Sequence, residues 1–137
     1  NQSDVITLML PTCPFRSHQH IIDGFKLLIK NIDSVISVTP FSFPYEMSLI
    51  YKENTDTLKT FFDPSPLITG NTRSQDQRVY YHPNGGFYIS WLSSLRKYGN
   101  FFAGKMKGYT MENINSHDID TAIDFDIAEY IFKHHLS

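Results

Sequence analysis

Two aspartates two positions apart, Asp118 and Asp120, are the residues of this sequence best placed to do chemistry. On an extended backbone alternate side chains project to the same side, so the two carboxylates would face one way. Paired carboxylates repel unless a cation sits between them, and Mg²⁺ prefers such hard oxygen ligands. Directly afterwards the spacing becomes helical. Ile123, Ile127 and Ile131 recur every fourth residue, and Ala128 and Phe132 widen that stripe. Asp120 or Thr121 is placed to cap this helix, and Asp124 in its first turn suits the positive end of the helix dipole. A strand end carrying an acidic pair into a closing helix fits a metal–phosphate site. On spacing alone a capped helix with solvated acids is the commoner outcome, and both readings stand at this point.

Other polar groups are more scattered. Arg73, Gln75 and Arg78, with Lys59, offer cations and an amide in or near a loop. A carboxylate on a sugar would be gripped by such a cationic fork, with amide groups for its hydroxyls, although composition alone reads them as solvated loop residues. Pro83-Asn84-Gly85-Gly86 predicts a turn, because Asn-Gly favours positive φ. His82 reads as a half-buried hydrogen-bonded histidine and Cys13 as a structural thiol with no activating base. His18 and His20 diverge around a helix and read as a solvated helix start, and His134 and His135 suit the negative end of the last helix.

The elements that must position these groups follow from periodicity. Val5 to Leu10 is a continuous apolar run, the pattern of a strand buried on both faces in a parallel sheet. Pro11-Thr12-Cys13-Pro14 ends it, and Ser17 caps a helix with Ile21, Ile22, Phe25, Leu28, Ile29 and Ile32 on its apolar face. Ser34 to Thr39 is a second strand, completing a right-handed βαβ unit. An aromatic, proline-punctuated portion follows. Met47 to Lys52 and Leu58 to Phe62 read as an antiparallel pair turning at Asn54-Thr55-Asp56, and Asp63 to Thr72 as a loop. Val79-Tyr80-Tyr81 and Phe87-Tyr88-Ile89 flank the Pro-Asn-Gly-Gly turn. Ser90 starts a short helix ending near Gly99, and Gly104 to Met111 is a last strand. The class is α/β.

At 137 residues the chain has room for one domain. A net charge of −2 gives no support for a nucleic-acid partner. No apolar run approaches the roughly 20 residues that span a bilayer. The single cysteine fits a reducing compartment, and a cytoplasmic protein is expected. Eleven Phe and eight Tyr are more than a core of this size needs, so some rings are expected to cover a partner subunit.

Three blocks carry a resemblance: Leu-Pro-Thr-Cys-Pro-Phe-Arg (Leu10 to Arg16), Arg-Ser-Gln-Asp followed by Pro-Asn-Gly (Arg73 to Gly85), and Ser-His-Asp-Ile-Asp-Thr (Ser116 to Thr121). In this order they resemble the acylneuraminate cytidylyltransferases, the CMP-sialic acid synthetases. The resemblance runs from Leu8 to Phe132. It implies a partial Rossmann-like nucleotidyltransferase sheet with an antiparallel, aromatic-rich dimerisation insert at about residues 40–62, and a homodimer or higher homo-oligomer. It implies transfer of CMP from CTP to a nonulosonic acid of sialic, legionaminic or pseudaminic type, with release of pyrophosphate. Asp118 and Asp120 would hold Mg²⁺, while Arg73, Gln75, Asn84 and Arg78 would contact the sugar acid, with Leu10 in its pocket. The sequence departs from the family at Ser74 and His82, where arginines are usual, at Leu10, where a glutamine is, and at Cys13, where a serine is. The family's glycine- and basic-rich nucleotide loop has no counterpart before Leu8. Residues 1–137 are therefore expected to be the C-terminal part of such an enzyme, inactive by itself. The alternative is a catalytically inactive sugar-binding or assembly module.

Overall fold

The computed structural model describes residues 4–135. They form two compact units, one made of the chain up to Thr39 together with the chain from Pro83 onward, the other of Pro40–His82. The first unit is built on a four-stranded sheet of order β1-β5-β2-β6. Its elements are β1 (Val5–Leu8), α1 (His18–Leu27), β2 (Ser34–Pro40), β5 (Tyr81–Trp91), α3 (Leu92–Tyr98), β6 (Met106–Thr110) and α4 (Ala122–His135). β1 pairs antiparallel with β5, Val5 opposite Trp91 and Leu8 opposite Tyr88. β2 pairs parallel with β6, Ser34 opposite Met106 and Val38 opposite Thr110. Between β2 and β5 the indole of Trp91 donates to Ile32 O, the hydroxyl of Ser90 to Asp33 O, and Phe87 N–H to the Ser37 hydroxyl. These pairs run in opposite senses, so β5 is antiparallel to both neighbours and the sheet is mixed.

This corrects the expectation for β1. It is a half-buried edge strand on an antiparallel partner, because an unbroken apolar run states neither how many faces are covered nor which strand lies alongside. β1 and β2 do run the same way and are joined through α1, with β5 occupying the place between them.

The core is formed by Leu28, Ile32, Val35, Phe87, Ile89 and Met111, with Val5, Ile21 and Trp91 against it. Ser17 caps α1 in a reciprocal arrangement: its hydroxyl accepts from His20 N–H, and its own N–H donates to His20 Nδ1. His20 is thus part of the cap and not a solvated residue. α1 presses Gly24 onto β5, where Phe87 and Ile89 fill the space a Cβ would need. Leu28 and Ile32, past the helix end, are buried, whereas Ile22, Phe25 and Ile29 are exposed, so only part of the expected apolar stripe faces the core.

The predicted turn at Pro83-Asn84-Gly85-Gly86 does not form. These residues lie inside the single long strand β5. Gly85 does take a positive φ of 72°, so the local signal was real, but it bends a strand instead of reversing the chain. α3 begins after Trp91, one residue beyond Ser90, and stops at Gly99 in the left-handed region. In α4 the inward stripe is Asp124, Ala128 and Ile131; Ile123, Ile127 and Phe132 of the expected stripe are exposed.

The Pro40–His82 unit contains β3 (Leu49–Tyr51) and β4 (Leu58–Thr60), an antiparallel pair with Leu49 opposite Thr60, as expected. The stretch read as a loop holds a one-turn helix, α2 (Pro66–Thr69), capped by Ser65 and closed by Gly70. Tyr45 is its hub, with ring centroids 5.1 Å from Phe41 and 5.5 Å from both Phe62 and Tyr80. The Tyr80 hydroxyl donates to Glu46, and Phe41 N–H to Tyr80 O, which extends this unit past Phe62 to His82. No helix among the described residues is long and apolar enough to cross a membrane.

Two outcomes follow from this packing. A Cβ at position 24 would stand 2.5 Å from Phe87 Cζ. Overpacking at such a site costs about 1–3 kcal/mol, more than the ~1 kcal/mol that alanine gains over glycine in a helix, so Gly24→Ala should lower the thermal midpoint. Asp33 holds two segments, accepting from Lys105 N–H and from the Ser94 hydroxyl, both at 2.8 Å, and these bonds keep its carboxyl below the usual range. A depressed folded-state pKa stabilises above the unfolded value, and that stability is lost as pH falls through the folded value. Asp33→Asn should therefore flatten the loss of stability below about pH 4, read as denaturant midpoints across that range.

Candidate functional site

Three segments far apart in sequence are tied together within the first unit, and they include residues of all three resemblance blocks. Leu10 N–H donates to Gly85 O at 3.1 Å, joining the first block to β5. Ile119 N–H donates to Thr12 O at 2.9 Å. The Asn115 side-chain amide donates to Phe15 O at 3.2 Å, and the Cys13 thiol to Asn115 O at 3.6 Å. The Asn84 amide donates to the Ser116 hydroxyl at 2.8 Å.

Asn84 is 5% exposed. Its Oδ1 accepts from Gly86 N–H at 3.1 Å while its Nδ2 reaches Ser116, so the side chain replaces a ladder partner at the bend in β5. Leu10 is half-buried and lies over Gly85, whose missing Cβ would be 3.0 Å from Leu10 Cδ1. Arg16 turns inward and donates from Nη1 to Leu10 O and Cys13 O, closing the turn that ends β1.

Asp118 and Asp120 do not stand at the end of a strand. They follow a 3-10 turn, Asn113–Ser116, in irregular backbone. Alternation survives nonetheless: Asp118 and Asp120 are exposed, and Ile119 between them is half-buried. Among the described residues no third His, Cys, Asp or Glu joins them in a metal-sized cluster. Two hard carboxylates without a closed cage fit Mg²⁺, which keeps several waters and takes the rest of its oxygens from substrate phosphates.

The helix start beyond them is built by Thr121 and Asp124. Asp124 Oδ2 accepts from Thr121 N–H at 2.8 Å, the Thr121 hydroxyl at 2.7 Å and Asp120 N–H at 3.2 Å, and Asp124 N–H returns a bond to the Thr121 hydroxyl at 3.3 Å. The Thr121 hydroxyl above all, then its amide, holds the Asp124 carboxyl below its ordinary range. His117 reaches across to Asp124 O at 2.7 Å.

The electrostatics separate the acids from the thiol. Burial pushes the Cys13 thiol up, opposed by the Arg16 charge and reinforced by Asp118. A protonated, fully buried thiol is structural, as expected. Burial likewise raises the Tyr88 hydroxyl, with Asp118 adding to it.

Arg73, Gln75 and Arg78 lie in the Pro40–His82 unit and are exposed. Gln75 is within a 3-10 turn, Ser74–Asp76, with Arg73 at its N-terminal end. Gln77, which the sequence reading passed over, fastens this loop, donating from Nε2 to Asn71 O at 2.6 Å and Arg73 O at 3.3 Å. The Arg78 guanidinium lies 5.7 Å from the centre of the Tyr80 ring, and His82 is half-buried against Phe41. Sequence reasoning also missed Thr12, Asn115, Ser116 and His117 as site builders. Thr12, Ser116 and His117 lie inside the resemblance blocks and Asn115 directly before the third, and only the fold shows that these segments touch.

Asn84→Ala would remove both side-chain bonds and leave the buried Gly86 N–H without a partner. The expected cost is about 1–3 kcal/mol, measured by urea denaturation; a loss below about 0.5 kcal/mol would mean that water replaces the amide.

No protein-family model matches the chain. Among curated proteins it is 31% identical, over 123 residues, to a protein of Escherichia coli named N-acylneuraminate cytidylyltransferase. That alignment takes in 88% of this chain and 28% of the relative, so the chain spans little more than a quarter of the relative's length. With Leu10–Arg16, Asn84–Gly85 and Ser116–Thr121 brought into contact and this identity along most of its length, the chain resembles the acylneuraminate cytidylyltransferases.

Proposed function

We propose that this chain supplies part of the site of a cytidylyltransferase that joins CMP to a nonulosonic acid. The observation that carries the reading is the 31% identity over most of the chain to an N-acylneuraminate cytidylyltransferase. The geometry supports it: an exposed carboxylate pair is tied by Ile119 to the Leu10–Arg16 block, and by Ser116 to Asn84. On this reading the mixed sheet is part of a Rossmann-like nucleotidyltransferase sheet.

In the reaction, the anomeric hydroxyl oxygen of the sugar bonds to the α-phosphorus of CTP, the bond from that phosphorus to the bridging oxygen breaks, and pyrophosphate leaves with that electron pair. The hydroxyl proton passes to solvent or a nearby base. When bound, Mg²⁺ would supply positive charge against the phosphate oxygens and ease deprotonation of the attacking hydroxyl. Asp118 and Asp120 would hold that ion. Arg73 and Arg78 offer guanidinium groups to the sugar carboxylate and Gln75 an amide to its polar substituents. Leu10 presents an alkyl wall, which disfavours a substrate hydroxyl and so selects among sialic, legionaminic and pseudaminic types. Asn84, with both ends engaged, contributes chiefly by fixing the backbone at Gly85.

Phe43, Tyr51 and Phe61 are 64%, 68% and 53% exposed, and on this reading the aromatic portion around residues 40–62 docks on a second subunit. The second reading, an inactive sugar-binding or assembly module, draws on Leu10, Ser74 and His82, three departures at pocket positions.

The test is pyrophosphate release from CTP and Mg²⁺ with a panel of nonulosonic acids, by this chain and by the full-length gene product. Turnover in the full-length protein is expected, falling by about 100-fold or more in Asp120→Asn. Full activity of that variant would overturn the metal assignment, and silence with every acid would favour the module.

A further inference from the structure

We propose that His117 is a positioning residue, setting the spacing and outward aim of Asp118 and Asp120 by lashing their segment to the first turn of α4. The inference rests on the metal reading above and extends it to a residue that touches neither metal nor substrate. His117 Nε2 lies 2.7 Å from Asp124 O. A carbonyl only accepts, so Nε2 carries the proton and the ring orientation is set. The ring is half-buried, its centroid 6.3 Å from that of Phe15 in the first block.

The same Asp124 accepts, through its carboxylate, from Asp120 N–H and from the amide and hydroxyl of Thr121. Both ends of the acidic segment therefore end on one residue, His117 on its carbonyl and Asp120 with Thr121 on its carboxylate. Ile119 N–H, bonded to Thr12 O, fixes the middle. Exposed carboxylates have no burial to hold them, and partners of this kind orient metal ligands; removing one typically costs ~10–100-fold in metal affinity. Without the His117 bond the segment keeps its helix cap and the Ser116–Asn84 bond but loses the tie from its N-terminal side to α4, and Asp118 swings relative to Asp120.

The test uses the whole chain and Mn²⁺ as a paramagnetic probe, read as broadening of the amide resonances of Asp118 to Thr121 during titration. Hydrogen exchange of the Ile119 amide and the thermal midpoint are measured beside it. His117→Phe keeps a ring against Phe15 without the donor, and His117→Gln keeps an amide donor of similar reach. We expect His117→Phe to weaken Mn²⁺ binding by ~10-fold or more and to accelerate Ile119 exchange, with little change in the midpoint. His117→Gln should restore both to within ~3-fold. Unchanged binding in His117→Phe, or equal losses in Phe and Gln, would overturn the proposal. If the unsubstituted chain shows no broadening at these amides, the metal reading fails. Ile119 exchange then decides alone: faster in His117→Phe upholds the strap, and unchanged sinks it.

Discussion

The buried amide of Asn84 is the contact on which the rest of the site depends. β5 bends at Gly85, and a bent strand leaves backbone groups that its neighbours cannot reach. Buried groups of this kind must find partners or cost stability. Asn84 Oδ1 takes Gly86 N–H, and the Ser37 hydroxyl both accepts from Phe87 N–H and donates to Phe87 O. Gly86 is confined as tightly, since a Cβ there would lie 2.9 Å from Met111 Sδ and 3.0 Å from Ser37 Oγ. Once Oδ1 is used within β5, Nδ2 is free to grip Ser116, whose hydroxyl donates onward to Glu112 O. A local irregularity in the sheet thus becomes the anchor of the acidic segment. Among the described residues no buried side-chain nitrogen or oxygen lacks a partner, so this polar network is complete.

The two halves of the site are held by different means. Asn84 and Cys13 are fixed by burial, whereas Asp118 and Asp120 are held in the open by hydrogen bonds alone. Exposure leaves the carboxylates available, and it transfers the task of aiming them to the backbone. That division explains why so many bonds, from His117, Thr121, Ile119 and Ser116, converge on so short a stretch. It also separates the carboxylates from the sheet: replacing an exposed acid leaves the buried network intact, whereas replacing Asn84 removes part of it.

Much of the fold was legible where local chemistry decides it. Ser17 and Thr121 cap their helices, Gly99 ends α3, and the β3–β4 pair forms as its pattern requires. What escaped was decided by tertiary contacts. The apolar run of β1 cannot announce that its neighbour is antiparallel. Asn-Gly correctly signals a positive φ, but a turn and a bend in a continuing strand share that signal, and only the partners of Asn84 distinguish them. In α4 two adjacent stripes are both partly apolar, and period alone does not choose between them. The cap and the His117 bond both engage Asp124, which draws the Asp124–Ala128–Ile131 side inward and leaves Ile123 70% exposed.

The acidic pair shows how a period in the sequence can be real while the element inferred from it is absent. Period two predicts a strand, and residues 117–120 form none. A strand imposes alternation because its backbone is pinned at intervals of two, with side chains left to point either way. Ile119 N–H on Thr12 O supplies one such pin. One rung suffices to turn Ile119 toward the body of the unit and its two neighbours away from it. The alternation in the sequence therefore recorded a real constraint on three residues, produced by one hydrogen bond where a sheet would have used several.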